Sequence, residues 1–340
     1  MMRAAVLHAT GGPDSFSIEQ RPVPAVEPGS VLLRVLACGV SAKDVVERNG
    51  TYRREMSFPI VLGAEMCGEI VEVGPGVRSV SRGDIVCTKA FASCGICGYC
   101  RTGRETTCLE RRHVRGGYAE YALVAEDACV EAPADISPEM ACTLGPGAGV
   151  ALNAVRDTAK VALGETVLVT GASGGVGIAA VQISRAAGAS VIALTRNSAK
   201  AAELIAAGAS NVITIPENGV FSPRVRDLTY GLGVDVVIDT VGSAVFREAF
   251  DCLALHGRMA LVGQLNGDEV SINLARIFFK RAELLGVGSV SRKQLSDAIE
   301  LAVAGVVRPP IARVLPLEQI AEAHRLVEAA GAFGRIVIKP

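Results

Sequence analysis

Residues 166–180, TVLVTGASGGVGIAA, decide how this chain of 340 residues folds. The opening TVLV is short, apolar and β-branched, as in a strand covered on both faces. Gly171, Gly174, Gly175 and Gly177 follow, with Ser173 and Val176 among them, and then comes an apolar run of helical spacing, IAAVQISRAAGA. Side chains at those glycines would hold a pyrophosphate away from the backbone N–H groups and the positive helix end that attract it. A glycine string alone is weak evidence, because such a turn also serves tight packing. Placed between a strand and a helix, it predicts a dinucleotide loop opening a βαβ unit.

The pattern continues downstream. SVIALT, NVITI, VDVVIDTVG, GRMALVG and ELLGVG read as strands, and AKAAELIAAGA between the first two reads as a helix. Strands alternating with helices predict an α/β fold with a doubly wound parallel sheet. Residues 1–130 differ: 31–36, 70–73, 84–88 and 118–124 are short β-rich runs bounded by Gly or Asp. The last fifty residues read as a helix over 292–304, a Pro-rich turn and a terminal strand, RIVIK. A chain of this length is too long for one core, so two domains are expected.

The end of the second strand of the nucleotide unit selects the cofactor. An NAD site places Asp or Glu about 20 residues after the glycines to bind the ribose 2′-hydroxyl. Residues 195–200 here are TRNSAK, without an acid. Thr195 ends the strand, Arg196 and Lys200 offer cations, and Ser198 offers a hydroxyl, a set suited to the 2′-phosphate of NADPH. The alternative is that both cations merely solvate a helix start. Val241 and Gly263, just past two later strands, are also assigned to the cofactor.

Cys94, Cys97, Cys100 and Cys108 follow C-x2-C-x2-C-x7-C. Four thiolates at such spacing can close a tetrahedron around one structural Zn²⁺. Disulfides or an iron–sulfur cluster are the alternatives, disfavoured by the absence of an export signal and by the spacing. The other six cysteines, Cys38, Cys67, Cys87, Cys129, Cys142 and Cys252, are scattered and read as small buried hydrophobes. The net charge of −1 gives no general case for nucleic acid or an anionic membrane as partner. Mean hydropathy is +0.37, yet no run reaches the roughly 20 apolar residues of a membrane span. The N-terminal MMRAAVLHATGG reads as a first strand, so a cytoplasmic protein acting on a small molecule is expected.

The cysteine lobe, GASGGVG, LGAEMCGEIVEVGPGV (62–77) and EAHRLVEAAGAFGRIVIKP (322–340) together resemble the medium-chain dehydrogenase/reductase superfamily. The resemblance spans essentially the whole chain. It implies a GroES-like catalytic domain from 1–148 and 288–340, with the zinc lobe at about 90–115, and a Rossmann NADP-binding domain at 149–287. It further implies a cofactor cleft between them and a homodimer or homotetramer through the Rossmann sheets. Zinc alcohol dehydrogenases of this superfamily hold a catalytic zinc with a Cys in CGxCxxD, a His in GHE and a later Cys at the domain junction. The matching positions here are Ser41 in CGVSAKD, Ala64 in GAE and Pro146 in CTLGPGAG. The four histidines, His8, His113, His256 and His324, lie outside these motifs. Asp44 is expected to fix a local turn and Glu65 to pair with a buried cation.

Zinc-free members of the superfamily are mostly NADPH-dependent quinone oxidoreductases and enoyl reductases, and the general run of this sequence is similar to the acryloyl-CoA reductase group. The lobe is more typical of the alcohol dehydrogenases. The resemblance therefore implies hydride transfer to an activated C=C or a quinone, with Ser41, Lys43 and Tyr52 as candidates to stabilise the developing enolate. Against these stand plainer roles: a capped turn, a solvated charge and an apolar wall. Arg48, Arg53, Arg54, Arg101, Arg104, Arg111, Arg112 and Arg115 either face solvent or a subunit, or receive an anionic substrate. Zinc-free carbonyl reduction or alcohol oxidation, and a non-catalytic NADPH-binding structural or regulatory protein, remain as competing readings.

Overall fold

The computed structural model describes residues 1–52, 56–264 and 268–340. They form two compact units: Met1–Gly149 with Ser289–Gly305 and Pro309–Pro340, and Val150–Gly288 with Val306–Arg308.

The first unit is built around the strand Ser30–Val40, whose sequence SVLLRVLACGV is buried along most of its length. It pairs antiparallel with Glu65–Val73, Tyr121–Ala125 and the C-terminal strand Arg335–Lys339. Ile311–Pro316, Ile85–Thr88 and Cys129–Glu131 complete a seven-stranded sheet. A three-stranded sheet of Phe16–Arg21, Met2–Leu7 and Ile60–Val61 lies in the same unit. Leu33, Met66, Ile70, Tyr118, Ile320 and Ile336 belong to one buried cluster, so both ends of the chain supply its core. Each such side chain stabilises the fold by roughly 1.5–3 kcal/mol through removal from water. Each chain end is therefore needed by the other.

Two expectations shift in this unit. The strand expected over 118–124 begins at Tyr121, because the chain enters through Gly116 and Gly117, and Ala119 makes only an isolated bridge to Ala4. The last fifty residues also contain the strand Ile311–Pro316 and the helix Ile320–Ala329. That helix buries Ile320, Ala323 and His324, a stripe of one large apolar, one small and one polar residue that hydrophobic periodicity does not register.

The second unit is a six-stranded parallel sheet in the order Asn211–Thr214, Ser190–Thr195, Thr166–Val169, Val234–Asp239, Leu253–Leu261, Glu283–Gly286. Leu168 is in register with Ile192 on one side and Val237 on the other, and all three are buried. The order reverses at Thr166–Val169, so the glycine loop leaves the sheet at its topological switch point, where open α/β sheets bind ligands. Gly175–Ala186 is the helix that follows. Fold class is therefore α/β, with a GroES-like unit and a Rossmann unit. No helix among the described residues is long and apolar enough to cross a membrane.

Candidate active site and zinc lobe

In the lobe, Phe91–Ala92 pairs with Arg112–His113, and the chain between carries the cysteines on the short helix Gly98–Arg101 and its flanking turns. The four Sγ atoms lie within 4.8 Å of one another. Cys97 and Cys100 are 3.5 Å apart and Cys94 and Cys100 are 3.9 Å apart, near the edge of about 3.8 Å for a tetrahedron of Zn–S bonds. Backbone N–H groups of Cys97 and Cys94 donate to Cys94 Sγ and Cys108 Sγ at 3.4 and 3.3 Å, as thiolate ligands require. The donor set fits one structural Zn²⁺. Among the described residues this is the one group of His, Cys, Asp or Glu close enough to hold a metal.

The lobe is tied down by Lys89, a buried cation that sequence reading passed over. Its Nζ lies 2.8 Å from Glu105 in the lobe and 2.9 Å from Asp127. Asp127 also accepts from the Ser93 N–H and hydroxyl at 2.6 and 2.7 Å, and Glu105 accepts from the Arg292 N–H at 2.6 Å. A fully desolvated lysine is tolerable because two carboxylates face it.

The three expected substrate-side residues sit on or beside the helix Ala42–Asn49. Ser41 is its N-cap: the Ser41 hydroxyl donates to Asp44 Oδ2 at 2.6 Å and accepts from the Asp44 N–H at 3.4 Å, while Asp44 Oδ2 also accepts the Ser41 N–H. Asp44 thus fixes a turn, and the proton of Ser41 is already committed. Lys43 Nζ lies 2.8 Å from Glu47, one turn on, and 5.7 Å from the centroid of the Tyr52 ring. The other Glu47 oxygen takes Arg115 at 2.8 Å. Glu47 is fully buried, and it holds both cations by one carboxylate. Tyr52 meets His113 edge-on at 6.1 Å. The i, i+4 spacing of Lys43 and Glu47 was the signal that could have disclosed the clamp.

Glu65 is in register with Gly39, whose missing Cβ leaves room for the carboxylate, and it pairs with buried Arg335 from the C-terminal strand. Burial pushes the Arg335 guanidinium down to about 10 against the opposing pull of Asp44. Ala64 is buried, its carbonyl accepting from the Thr88 hydroxyl at 2.9 Å, and Pro146 lies in the π-helical segment Leu144–Gly149. Ala64 and Pro146 carry no side-chain ligand atom, and the Ser41 hydroxyl is bonded to Asp44.

Much of the expected basic cluster is engaged within the chain. Arg48 is buried, donating to Gly11 O at 3.0 Å and facing His324 Nδ1 at 3.2 Å. Burial first, then Arg48, pushes His324 down to about 3, so it is a neutral acceptor. Arg104 stacks on Tyr99 and Arg111 on Phe91, while Arg101 and Arg112 are exposed. Arg53 and Arg54 lie outside the described residues.

In the second unit, Gly171 has φ +57°, and a Cβ there would lie 2.4 Å from the Thr240 hydroxyl. Gly174 caps the helix Gly175–Ala186, and a Cβ on Gly177 would lie 2.2 Å from the Gly171 carbonyl. The loop therefore lies close against the helix start, with backbone N–H groups as its donors. Lys200 is buried and reaches Ser173 of the same loop at 3.4 Å. Burial, with Arg196 adding to it, pulls the Lys200 ammonium below its ordinary range, as Glu203 opposes. Arg196, Asn197 and Ser198 are exposed around it, and Thr195 is buried at the strand end. Cations and a hydroxyl grouped beside the glycine loop are donors of the kind a phosphate takes, so the residues present are compatible with a dinucleotide. Val241 and Gly263 follow the neighbouring strands Val234–Asp239 and Leu253–Leu261.

Comparison with known proteins places this architecture. Residues 27–134 match the family model described as alcohol dehydrogenase GroES-like domain, and 175–304 match that described as zinc-binding dehydrogenase. The chain belongs to the medium-chain dehydrogenase/reductase superfamily, and it is an oxidoreductase of that kind. It is 31% identical over 344 residues to an acryloyl-coenzyme A reductase of Sulfurisphaera tokodaii, covering 100% of both chains. It is 30% identical to a quinone oxidoreductase of Lama guanicoe, over 99% of this chain and 97% of that one. A crystal structure of AibC superposes with a TM-score of 0.93 at 38% identity, covering 100% of this chain and 96% of that one.

Proposed function

We propose that this protein is an NADPH-dependent reductase of activated C=C bonds or quinones that carries one structural zinc and no catalytic zinc. The observation that supports the reading is the residue set Ser41, Ala64 and Pro146, together with the four-cysteine cluster being the one metal-holding group among the described residues, so that no second metal is placed to polarise an alcohol or carbonyl. The acryloyl-coenzyme A reductase and quinone oxidoreductase relatives support it, while other relatives are alcohol dehydrogenases. The cofactor choice rests instead on Arg196, Ser198 and Lys200, since relatives in this superfamily include an NAD-dependent dehydrogenase.

NADPH, when bound, supplies a hydride equivalent for the β-carbon of an enone or enoyl thioester. What this chain adds is a donor for the oxygen that gains charge. Ser41 cannot readily serve, its hydroxyl being given to Asp44. Lys43 and Tyr52 remain, with Glu47 holding the ammonium against the ring and Arg115 balancing the charge of Glu47.

The test is the loss of NADPH absorbance with a panel of enones, enoyl thioesters, quinones, aldehydes and ketones. Turnover of the first three with NADPH, reduced about tenfold or more by Lys43→Met, is expected. Turnover confined to aldehydes and ketones would refute the reading, and no turnover at all would favour a binding protein.

The second unit also supports a homodimer. Glu283–Gly286 forms one edge of the parallel sheet. Close to it in sequence, the helix Leu274–Lys280 leaves Leu274, Phe278 and Phe279 exposed at 73%, 74% and 72%. An open strand edge with apolar side chains beside it is a surface that soluble proteins ordinarily cover. Light scattering should give a multiple of the 35.2 kDa chain mass, and Phe278→Glu should lower it. A monomer in the unaltered protein would refute this.

A further inference from the structure

Two stretches that carry the proposed cofactor residues meet at one buried side chain, and a third reaches the main chain of the same residue. Asp239 ends the strand Val234–Asp239 and is fully buried. Its Oδ1 accepts from the Thr170 hydroxyl at 2.6 Å and from the N–H groups of Val241 and Gly242 at 3.0 and 3.1 Å. Its main-chain carbonyl accepts from Val262 N–H at 2.9 Å and Gly263 N–H at 3.3 Å. The Thr170 hydroxyl in turn accepts from Thr240 N–H at 3.0 Å, and the Thr240 hydroxyl donates to the Thr170 carbonyl at 2.8 Å. One residue is thus bonded to the entry of the glycine loop, to the turn at Val241 and to the turn at Gly263.

The packing there leaves no slack. A Cβ on Gly263 would lie 2.6 Å from the Thr240 carbonyl, and one on Gly242 would lie 2.7 Å from the Gly263 carbonyl. Burial raises the carboxyl of Asp239 above the ordinary range, although its hydrogen bonds pull the other way. Its second oxygen, Oδ2, has no hydrogen-bond partner among the described residues. An apolar residue would end this strand without desolvating a carboxyl. The side chain is explained by the donors it gathers.

We propose that Asp239 is a positioning residue for the dinucleotide, its side chain setting the spacing of the Gly171 and Val241 turns before the cofactor arrives. The inference rests on reading the glycine loop as the NADPH site. Loops ordered on folding need not be ordered on binding, so their preorganisation appears as affinity.

The experiment is NADPH titration by cofactor fluorescence on the full chain, with thermal unfolding and the separate KM values for NADPH and for the turned-over substrate measured alongside. Asp239→Leu and Thr170→Val should each weaken NADPH binding by about tenfold or more, since each leaves buried donors or acceptors unpaired. Asp239→Asn, which keeps the acceptor oxygen, should stay within about threefold of the unaltered chain. KM for NADPH should rise while that for the other substrate holds. A purely structural role would lower the melting temperature and leave the affinity of the folded protein unchanged, and that result would overturn the proposal. Should Asp239→Leu fail to fold, Thr170→Val decides by the same criterion. Absence of NADPH binding by the unaltered chain would overturn the cofactor reading itself, and this inference with it.

Discussion

Replacing Arg196 and Lys200 together with alanine should weaken NADPH binding about 100-fold and leave NADH within about threefold. The asymmetry follows from what differs between the cofactors, a 2′-phosphate of about −1.5 to −2 charge, taking the ionisation of a phosphomonoester. Lys200 is buried and reaches Ser173, and burial disfavours its ammonium, so a phosphate beside it would favour the charged form. Hydrogen bonds to charged groups contribute about 1.5–3 kcal/mol each. Arg196 is exposed and screened, so it adds less and should account for most of the salt dependence. Initial rates with each cofactor, at two ionic strengths, check this. An unchanged preference between NADPH and NADH would remove the basis of the cofactor assignment.

Cys108→Ser should abolish metal binding and open the lobe. The unaltered chain should contain about one zinc, and the variant close to none. The lobe has little apolar core of its own, with Ile96 and Leu109 both exposed, so the metal bonds must supply most of its order. Its loss would also free Glu105, leaving buried Lys89 with Asp127 as its remaining carboxylate. Removing one partner from a buried ion pair costs about 3–5 kcal/mol, so the damage should spread into the strand Ile85–Thr88 that leads to Lys89. Elemental analysis, the melting temperature and trypsin cleavage at Arg101, Arg104 and Arg112 together read this out. About two zincs per chain would mean a catalytic site had been overlooked, and an unchanged melt would mean the lobe is held by something other than metal.

The readable parts of this protein are those in which neighbours along the chain make the feature. TVLVTGASGGVG carries its strand, turn and helix start within about one βαβ entry, and the cysteines state their own spacing. The substrate side was legible only as residue types. The sequence leaves Ser41 as donor or capped turn and Lys43 as enolate donor or solvated charge; in the fold the Ser41 hydroxyl is given to Asp44, and Glu47 and Tyr52 lie around Lys43.

By itself, then, the sequence determined the parallel sheet, the glycine turn at its switch point and the four-cysteine cluster, because each arises from short-range spacing. Tertiary structure alone decided the partners that matter chemically. Arg335 reaches Glu65, Glu105 and Asp127 enclose Lys89, and Thr170 meets Asp239 from 69 positions away. Buried charges and carboxyls must be paired or hydrogen-bonded, but the chain order does not say by which distant residue. That choice belongs to the registers in which strands far apart in the chain are laid side by side.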